Sequence, residues 1–402
     1  MKSFVLESAR LWVGDGRALD GHLIVEGETV AAVGPGQYAG PLPVVRLEGL
    51  ALSPGLVDLM VLGGFQKSIL TDDPADIARE YLRLGVTALQ FCIGSLPMES
   101  IRRIAENLRT ARRQGPAAAA RIAGWYLEGP FQQPDLAGAS LAQHTISPTP
   151  ANVENLLRDV GDVLTMINVS PGLEHDAEAV RQFRAAGKVV TMAHSNAAAA
   201  RATACVAAGT TVLGHIWDNN AGRIGDSGVQ QPTIDHVALT DERVKWIHLI
   251  CDGVHVHPVM IQIILRCRGI GAVCLVTDGN RRSGCPDGPF VYDDGRNFVK
   301  EKGVCRTDAG WLAGSATLLP DMFRHFVRFT ARPAAEAIQT VTLNPARCLG
   351  LDARLGSLEP GKLADLVAWD DHLRVRRVWR GGREIGNVSD FAEVTMDSPQ
   401  PL

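Results

Sequence analysis

Between residues 55 and 279 the chain repeats one unit, a short apolar run followed by a helix-like stretch. The runs are "GLVDLMV", "VTALQFCIG", "ARIAGWYLEG", "DVLTMINVS", "KVVTMAHS", "TTVLGHIW", "VKWIHLICDG" and "IGAVCLVTDG". Helical stretches such as "MESIRRIAENLRTARRQ", "EHDAEAVRQFRAAG" and "HPVMIQIILRCRG" lie between most of them. "TDDPADIAREYLRLG" carries a full set of helix signals: an Asp at the N-cap, Pro74 in the first turn, apolar Ile77, Tyr81 and Leu84, and Gly85 to close. Eight strand candidates with intervening helices predict an α/β chain folded as a closed (β/α)8 TIM barrel. An open doubly wound sheet is the alternative, but no Gly-rich phosphate fingerprint follows the first strand.

The two ends differ from this middle. "SFVLESARLWV" and "GHLIVEGETVAAVG" alternate roughly in period two and are broken by glycines. The tail from about 355 has the same character in "GSLEPGKLADLVAWD" and "RVRRVWRGGREI". This predicts a small, discontinuous β-sandwich domain from residues 1–52 and 351–402, enclosing the barrel domain over 53–350. A length of 402 residues is ordinary for one large barrel with an attachment.

Composition removes several function classes. At 46% hydrophobic the chain has enough apolar residues for a sizeable core, which excludes global disorder. A formal net charge of −4, with no long basic block, argues against a nucleic-acid partner. No stretch has the length and apolarity of a membrane span, and "MKSFVLESARLWVGDG" lacks a signal-peptide core, so no membrane partner and a cytoplasmic location are expected. The eight cysteines form no CxxC pair and read as reduced, mostly buried thiols.

Barrel chemistry sits on the rim where strands end and loops begin. Glu128 ends the third strand candidate, His194 the fifth, His215 the sixth and Asp278 the eighth. One such residue alone reads as a hydrogen-bonded structural group or a turn cap. Together, two His and one Glu with an open position are the ligand set of a catalytic zinc site, and a nearby carboxylate not needed as a ligand is its general base. One expected feature is missing. In many metal-dependent hydrolases the first strand ends in His-x-His, and here those places hold Met60 and Leu62. Neither offers a nitrogen or oxygen donor.

On these residues the chain resembles the amidohydrolase superfamily, and more closely the N-acetylglucosamine-6-phosphate deacetylase family. The matching stretches are "PGLVDLMVLGG", "LEGPF", "AHSNA", "GHIWDNN", "CDGVHVHP", "LVTDG", "GWLAGSA", "TLNPARCLGL" and "GSLEPGKLADLVAWD", in family order over nearly the whole chain. Some of these deacetylases lack the His-x-His pair and use one metal, held by the Glu and two His of later strands. The resemblance therefore implies one divalent ion on Glu128, His194 and His215, zinc by preference, with iron, manganese or cobalt tolerating the same donors. It implies removal of acetyl from an N-acetylated amino sugar phosphate, with Asp278 taking a proton from the attacking water and returning it to the leaving amine. His255 matches a substrate-contacting His, whereas His257 reads as a helix N-terminal residue. Family members commonly form homodimers, which extends that expectation to this chain.

Three places depart from the family pattern. Where the family has a His after "EGPF" to polarise the substrate carbonyl, this chain has Ser140, with His144 four residues on as a substitute. The family's "HxFNAM" becomes "HIWDNNAG", so Asn220 and Ala221 match the substrate-seating pair only after a one-residue insertion. Arg223 is the best match to the phosphate-binding Arg, and Arg281 and Arg282 offer a relocated anion clamp. These departures leave two alternatives. One is hydrolysis of another anionic N-acyl compound: an N-acyl amino acid, the galactosamine epimer or an unphosphorylated sugar. The other is a non-catalytic, sugar-binding relic of the fold.

Overall fold

The structure, a computed structural model, describes residues 3–220, 222–224, 228–292 and 295–386. The chain opens with five strands, β1 (Ser3–Trp12), β2 (Ala18–Glu26), β3 (Thr29–Pro35), β4 (Val44–Arg46) and β5 (Ala51–Pro54). Eight parallel strands follow: β6 (Leu56–Val61), β7 (Val86–Ile93), β8 (Arg121–Leu127), β9 (Leu164–Asn168), β10 (Val189–Met192), β11 (Val212–Leu213), β12 (Trp246–Leu249) and β13 (Val273–Leu275). They neighbour one another in chain order. The circle closes where Val61 bridges Gly279 in parallel, with the N–H groups of Leu62 and Gly63 donating to Gly279 O at 2.8 and 2.9 Å. Closure excludes the open sheet, whose edge strands would stay unpaired.

Each barrel strand is followed by a helix: α1 (Pro74–Arg83), α2 (Met98–Gln114), α3 (Pro150–Val160), α4 (Asp176–Ala185), α5 (Ala199–Ala208), α6 (Ile234–Thr240), α7 (Pro258–Arg268) and α8 (Leu319–Thr330). α1 begins as its sequence dictates. The Asp73 carboxylate accepts from Ala75 N at 2.8 Å, Pro74 occupies the first turn, and Ile77, Tyr81 and Leu82 are buried on the inner face. His257 caps α7, its Nδ1 accepting from Val259 N at 3.2 Å. In β6 every residue is buried, so Met60 is barrel packing, and Tyr81 Oη closes the Gly63 turn by donating to Gly63 O at 2.8 Å. Among the described residues no helix is long and apolar enough to cross a membrane.

One element is not foreseen in the sequence reading. Between β13 and α8 lie four antiparallel strands, β14 (Gly288–Val291), β15 (Asn297–Glu301), β16 (Val304–Thr307) and β17 (Leu312–Ser315). They carry their own small core of Phe298, Cys305, Ala313 and Ala316. The chain then returns to the N-terminal strands through β18 (Leu366–Trp369), β19 (Val375–Arg380) and β20 (Arg383–Ile385). The resulting sheet runs β20-β19-β18-β5-β1-β2-β3, with β4 beside β1. Leu52 pairs with Ala368, and Trp369 Nε1 donates to Ser53 Oγ at 2.8 Å. Val30 and Trp379, from strands far apart in this order, share one apolar cluster with Leu6, Leu23 and Leu366, so the sheet curls around its own core. All eight cysteines are free thiols, with only Cys267 exposed.

Candidate metal centre

The polar residues that end the apolar runs stand on one rim. Glu128 directly follows β8, its N–H donating to Ile93 O at 2.9 Å, and Asn168 Nδ2 donates to its carbonyl at 3.2 Å. His194, His215 and Asp278 lie just beyond β10, β11 and β13. All three have left-handed backbones, with φ of 51, 22 and 46°. Such conformations cost non-glycine residues energy and collect at functional sites, where the surrounding fold enforces them.

The Glu128 Oε1 atom lies 2.6 Å from His215 Nε2 and 3.1 Å from His194 Nε2. One ligand atom from each of the three buried residues falls within 4.8 Å of the others. The far side of each ring decides what the near side can do. His194 Nδ1 faces Leu136 O at 2.7 Å and His215 Nδ1 faces Asp218 O at 3.1 Å. A carbonyl only accepts, so each Nδ1 carries a proton, and in a neutral ring Nε2 then presents a lone pair to the centre. His194 Nε2 is buried without a hydrogen bond, since its approach to Glu128 lacks hydrogen-bond geometry. An orphaned buried nitrogen beside a carboxylate and a second imidazole fits a divalent cation. Burial pushes the Glu128 carboxyl up, but His194 and His215 outweigh it and hold the group well below the carboxylate range. Burial lowers His215, but Glu128 overrides it and raises the ring to about 10.

Asp278 stands beside this centre. Burial and the Glu128 charge raise its carboxyl to about 7, against the opposing pull of His215 and His255. Its carbonyl accepts from Ser315 N at 3.1 Å. Gly314, at φ +64°, permits that approach, because a Cβ there would sit 2.4 Å from Asp278 O and 3.3 Å from Oδ2. Thr277, one residue earlier, is tied to the first strand. Its hydroxyl lies 2.6 Å from Asp58 Oδ2, and its N–H and that of Met60 donate to Oδ1 at 3.3 and 3.2 Å. The strand that lacks His-x-His thus still supports the site, through Asp58.

A cavity opens over these groups. Glu128, His194, His215, Asp278 and Ser140 all line it. Asp218, Asn219, Asn280, Tyr292, Arg296 and Phe298 complete much of its wall. The other expected substrate residues are placed differently. His255 is buried outside that lining, with Nδ1 2.6 Å from Asp252 Oδ2. Asp252 and burial act oppositely on it, and the carboxylate prevails, raising the ring to about 9. Asn220 Nδ2 donates to Asp235 Oδ1 at 3.0 Å, holding the loop after His215. His144 sits on a short 3-10 turn away from the cavity wall. Ala221 and the side chain of Arg223 lie outside the described residues. Arg281 Nη2 donates to Gln66 O at 3.1 Å and Arg282 Nη2 to Pro286 O at 2.7 Å, so both brace the loop after Asp278.

Sequence reasoning missed Asp252, which also accepts from Ser315 Oγ at 2.9 Å and from the N–H groups of Val254 and His255. Its position three residues before His255 was the available signal. It also missed the wall residues Tyr292, Arg296 and Phe298, whose strands are short and far in sequence from the rim.

Known proteins share this fold. The amidohydrolase family model matches residues 53–397. The chain is 31% identical over 386 residues to the N-acetylgalactosamine-6-phosphate deacetylase of Escherichia coli O157:H7, covering 94% of this chain and 98% of that one. It is 27% identical over 412 residues to the N-acetylglucosamine-6-phosphate deacetylase of Caenorhabditis elegans, covering 97% and 93%. Among solved structures, a mutant Mycobacterium smegmatis N-acetyl-D-glucosamine-6-phosphate deacetylase in complex with N-acetyl-D-glucosamine-6-phosphate superposes with a TM-score of 0.88. Identity is 26%, covering 96% of this chain and 100% of that one.

Proposed function

The chain belongs to the amidohydrolase family, and on that premise we propose that it is a metal-dependent deacetylase of N-acetylated amino sugar 6-phosphates. The observation that carries the reading is the convergence of Glu128, His194 and His215 with Asp278 in one cavity. The first three would hold one divalent cation, with zinc as the expected ion. When bound, the cation supplies Lewis acidity, lowering the pKa of a water and polarising the acetyl carbonyl.

The chain's own residues do the rest. Asp278 accepts a proton from the attacking water, then returns it to the departing amine, so one carboxylate serves as base and acid. Burial and the Glu128 charge raise its carboxyl, which makes it a stronger base than an exposed aspartate, and a bound cation pulls it back down. Ser140 stands on the cavity wall as a neutral donor toward the substrate. Asp252 holds the His255 ring and its charge near Asp278. Ala221 and Arg223 remain candidates for seating the sugar phosphate, whereas Asn220 and His144 lie outside the cavity lining. A homodimer in the cytoplasm completes this reading.

The test is acetate release from the 6-phosphates of N-acetylglucosamine and N-acetylgalactosamine, with metal per chain measured on the same preparations. The two relatives named above act on different epimers, so a substrate panel decides between them. Activity in a metal-free preparation, or full activity in Glu128→Ala, overturns the mechanism. Turnover confined to N-acyl amino acids overturns the substrate class.

A further inference from the structure

We propose that Arg296 binds the substrate's phosphate, so that the anion is recognised from within the chain by the sheet inserted between β13 and α8. The inference rests on the sugar-phosphate reading above and names the residue that enforces it. The cavity already holds the carboxylates Glu128, Asp278 and Asp218. A phosphate dianion entering it needs a cation, and among the described lining residues Arg296 is the one Arg or Lys.

The surroundings aim this side chain. The backbone of Arg296 is fixed at the turn, where its carbonyl accepts from Tyr292 N at 2.8 Å. Its guanidinium carbon lies 5.4 Å from the centroid of the Phe298 ring, in the range of a cation–π contact. Stacking engages the face of a guanidinium, whereas phosphate is bound by its in-plane N–H edge, so the two contacts are compatible. The Tyr292 and Phe298 rings, with centroids 4.8 Å apart, form an aromatic wall beside it, against which a sugar ring can pack.

The experiment compares the parent enzyme with Arg296→Gln and Arg296→Lys. Steady-state kinetics are measured on N-acetylglucosamine 6-phosphate and on unphosphorylated N-acetylglucosamine, and binding of glucosamine 6-phosphate by calorimetry. A charge-assisted hydrogen bond is worth enough that Arg296→Gln is expected to raise KM and Kd for the phosphorylated compounds by roughly 10- to 100-fold. The unphosphorylated sugar should be unaffected, and Arg296→Lys should recover part of the loss. Unchanged KM and Kd in Arg296→Gln overturn the inference even if turnover is normal. Equal losses on both sugars overturn it as well, since they indicate a structural role. If the parent enzyme deacetylates neither sugar phosphate, the functional reading fails by itself. In that event Arg296-dependent binding of glucosamine 6-phosphate supports the anion site, and Arg296-independent binding rejects it.

Discussion

Replacing Asp58 with Asn is expected to stabilise the protein at pH 8 more than at pH 5. Asp58 is wholly buried, and burial raises its carboxyl from 3.8 to about 6, although Thr277 and Met60 donate to it. The sign follows from a raised acid pKa. Between 3.8 and 6 the folded chain binds this proton more tightly than the unfolded chain, so stability falls as pH rises and the full cost is present above 6. At about 1.4 kcal/mol per pH unit, a rise from 3.8 to about 6 costs roughly 3 kcal/mol at pH 8. Roughly half of that is already present at pH 5. Asn cannot ionise, and its amide can donate to Thr277 Oγ1 while that hydroxyl donates to Met60 O, 3.0 Å away. The surplus amide N–H offsets part of the gain, by about 1 kcal/mol, equally at both pH values. Guanidinium denaturation midpoints at pH 5 and pH 8, for parent and variant, read the difference. The reasoning is refuted if Asp58→Asn is destabilised by the same margin at both pH values, because the ionised carboxylate would then be contributing stability.

Glu128→Ala removes one of three metal donors, so metal per chain measured by elemental analysis should fall with acetate release, while the circular dichroism spectrum is kept. Asp278→Asn should keep its metal and lose about 10²- to 10⁴-fold in kcat, the usual worth of a general base; a smaller loss would remove Asp278 from that role. Asp278 must be ionised to accept a proton, so kcat/KM should rise with pH along a limb at or below about 7, the value that burial and Glu128 set and a bound cation lowers. A limb well above 7 would contradict this. Gly314→Ala forces a Cβ to 2.4 Å from Asp278 O at a left-handed backbone position, so kcat should drop with metal content unchanged. Normal kcat would show that the loop yields without moving Asp278.

The barrel was legible because its strands are buried on both faces and read as uninterrupted apolar runs. β7 is buried at every position, and β8, β10 and β11 end just before Glu128, His194 and His215. The metal donors stood out for the same reason, as ionisable groups at the ends of runs that otherwise admit none. The inserted sheet was harder to see. Its strands hold four or five residues, alternate in burial, and meet the rim only through tertiary folding. Arg296 in "DDGRNF" carries no local sign that it faces a cavity shared with Glu128. The sequence pointed to Asn220, matched after a one-residue insertion, whereas the structure puts its neighbour on the cavity wall. Asn219 lines the cavity, while the Asn220 amide is held by Asp235.

The pairing of β5 with β18 joins residues such as Ser53 and Trp369, 316 positions apart. On a ribosome adding about 5–20 residues per second, β5 waits roughly 15–60 s for its partner. During that time one edge of β5 offers unpaired backbone groups to any passing strand. The sheet that holds β5 is thus completed only after the barrel has been translated, although five of its strands precede the barrel in sequence. Shortening the chain before Leu366 should leave the barrel's entire sequence translated yet yield a protein that associates through β5.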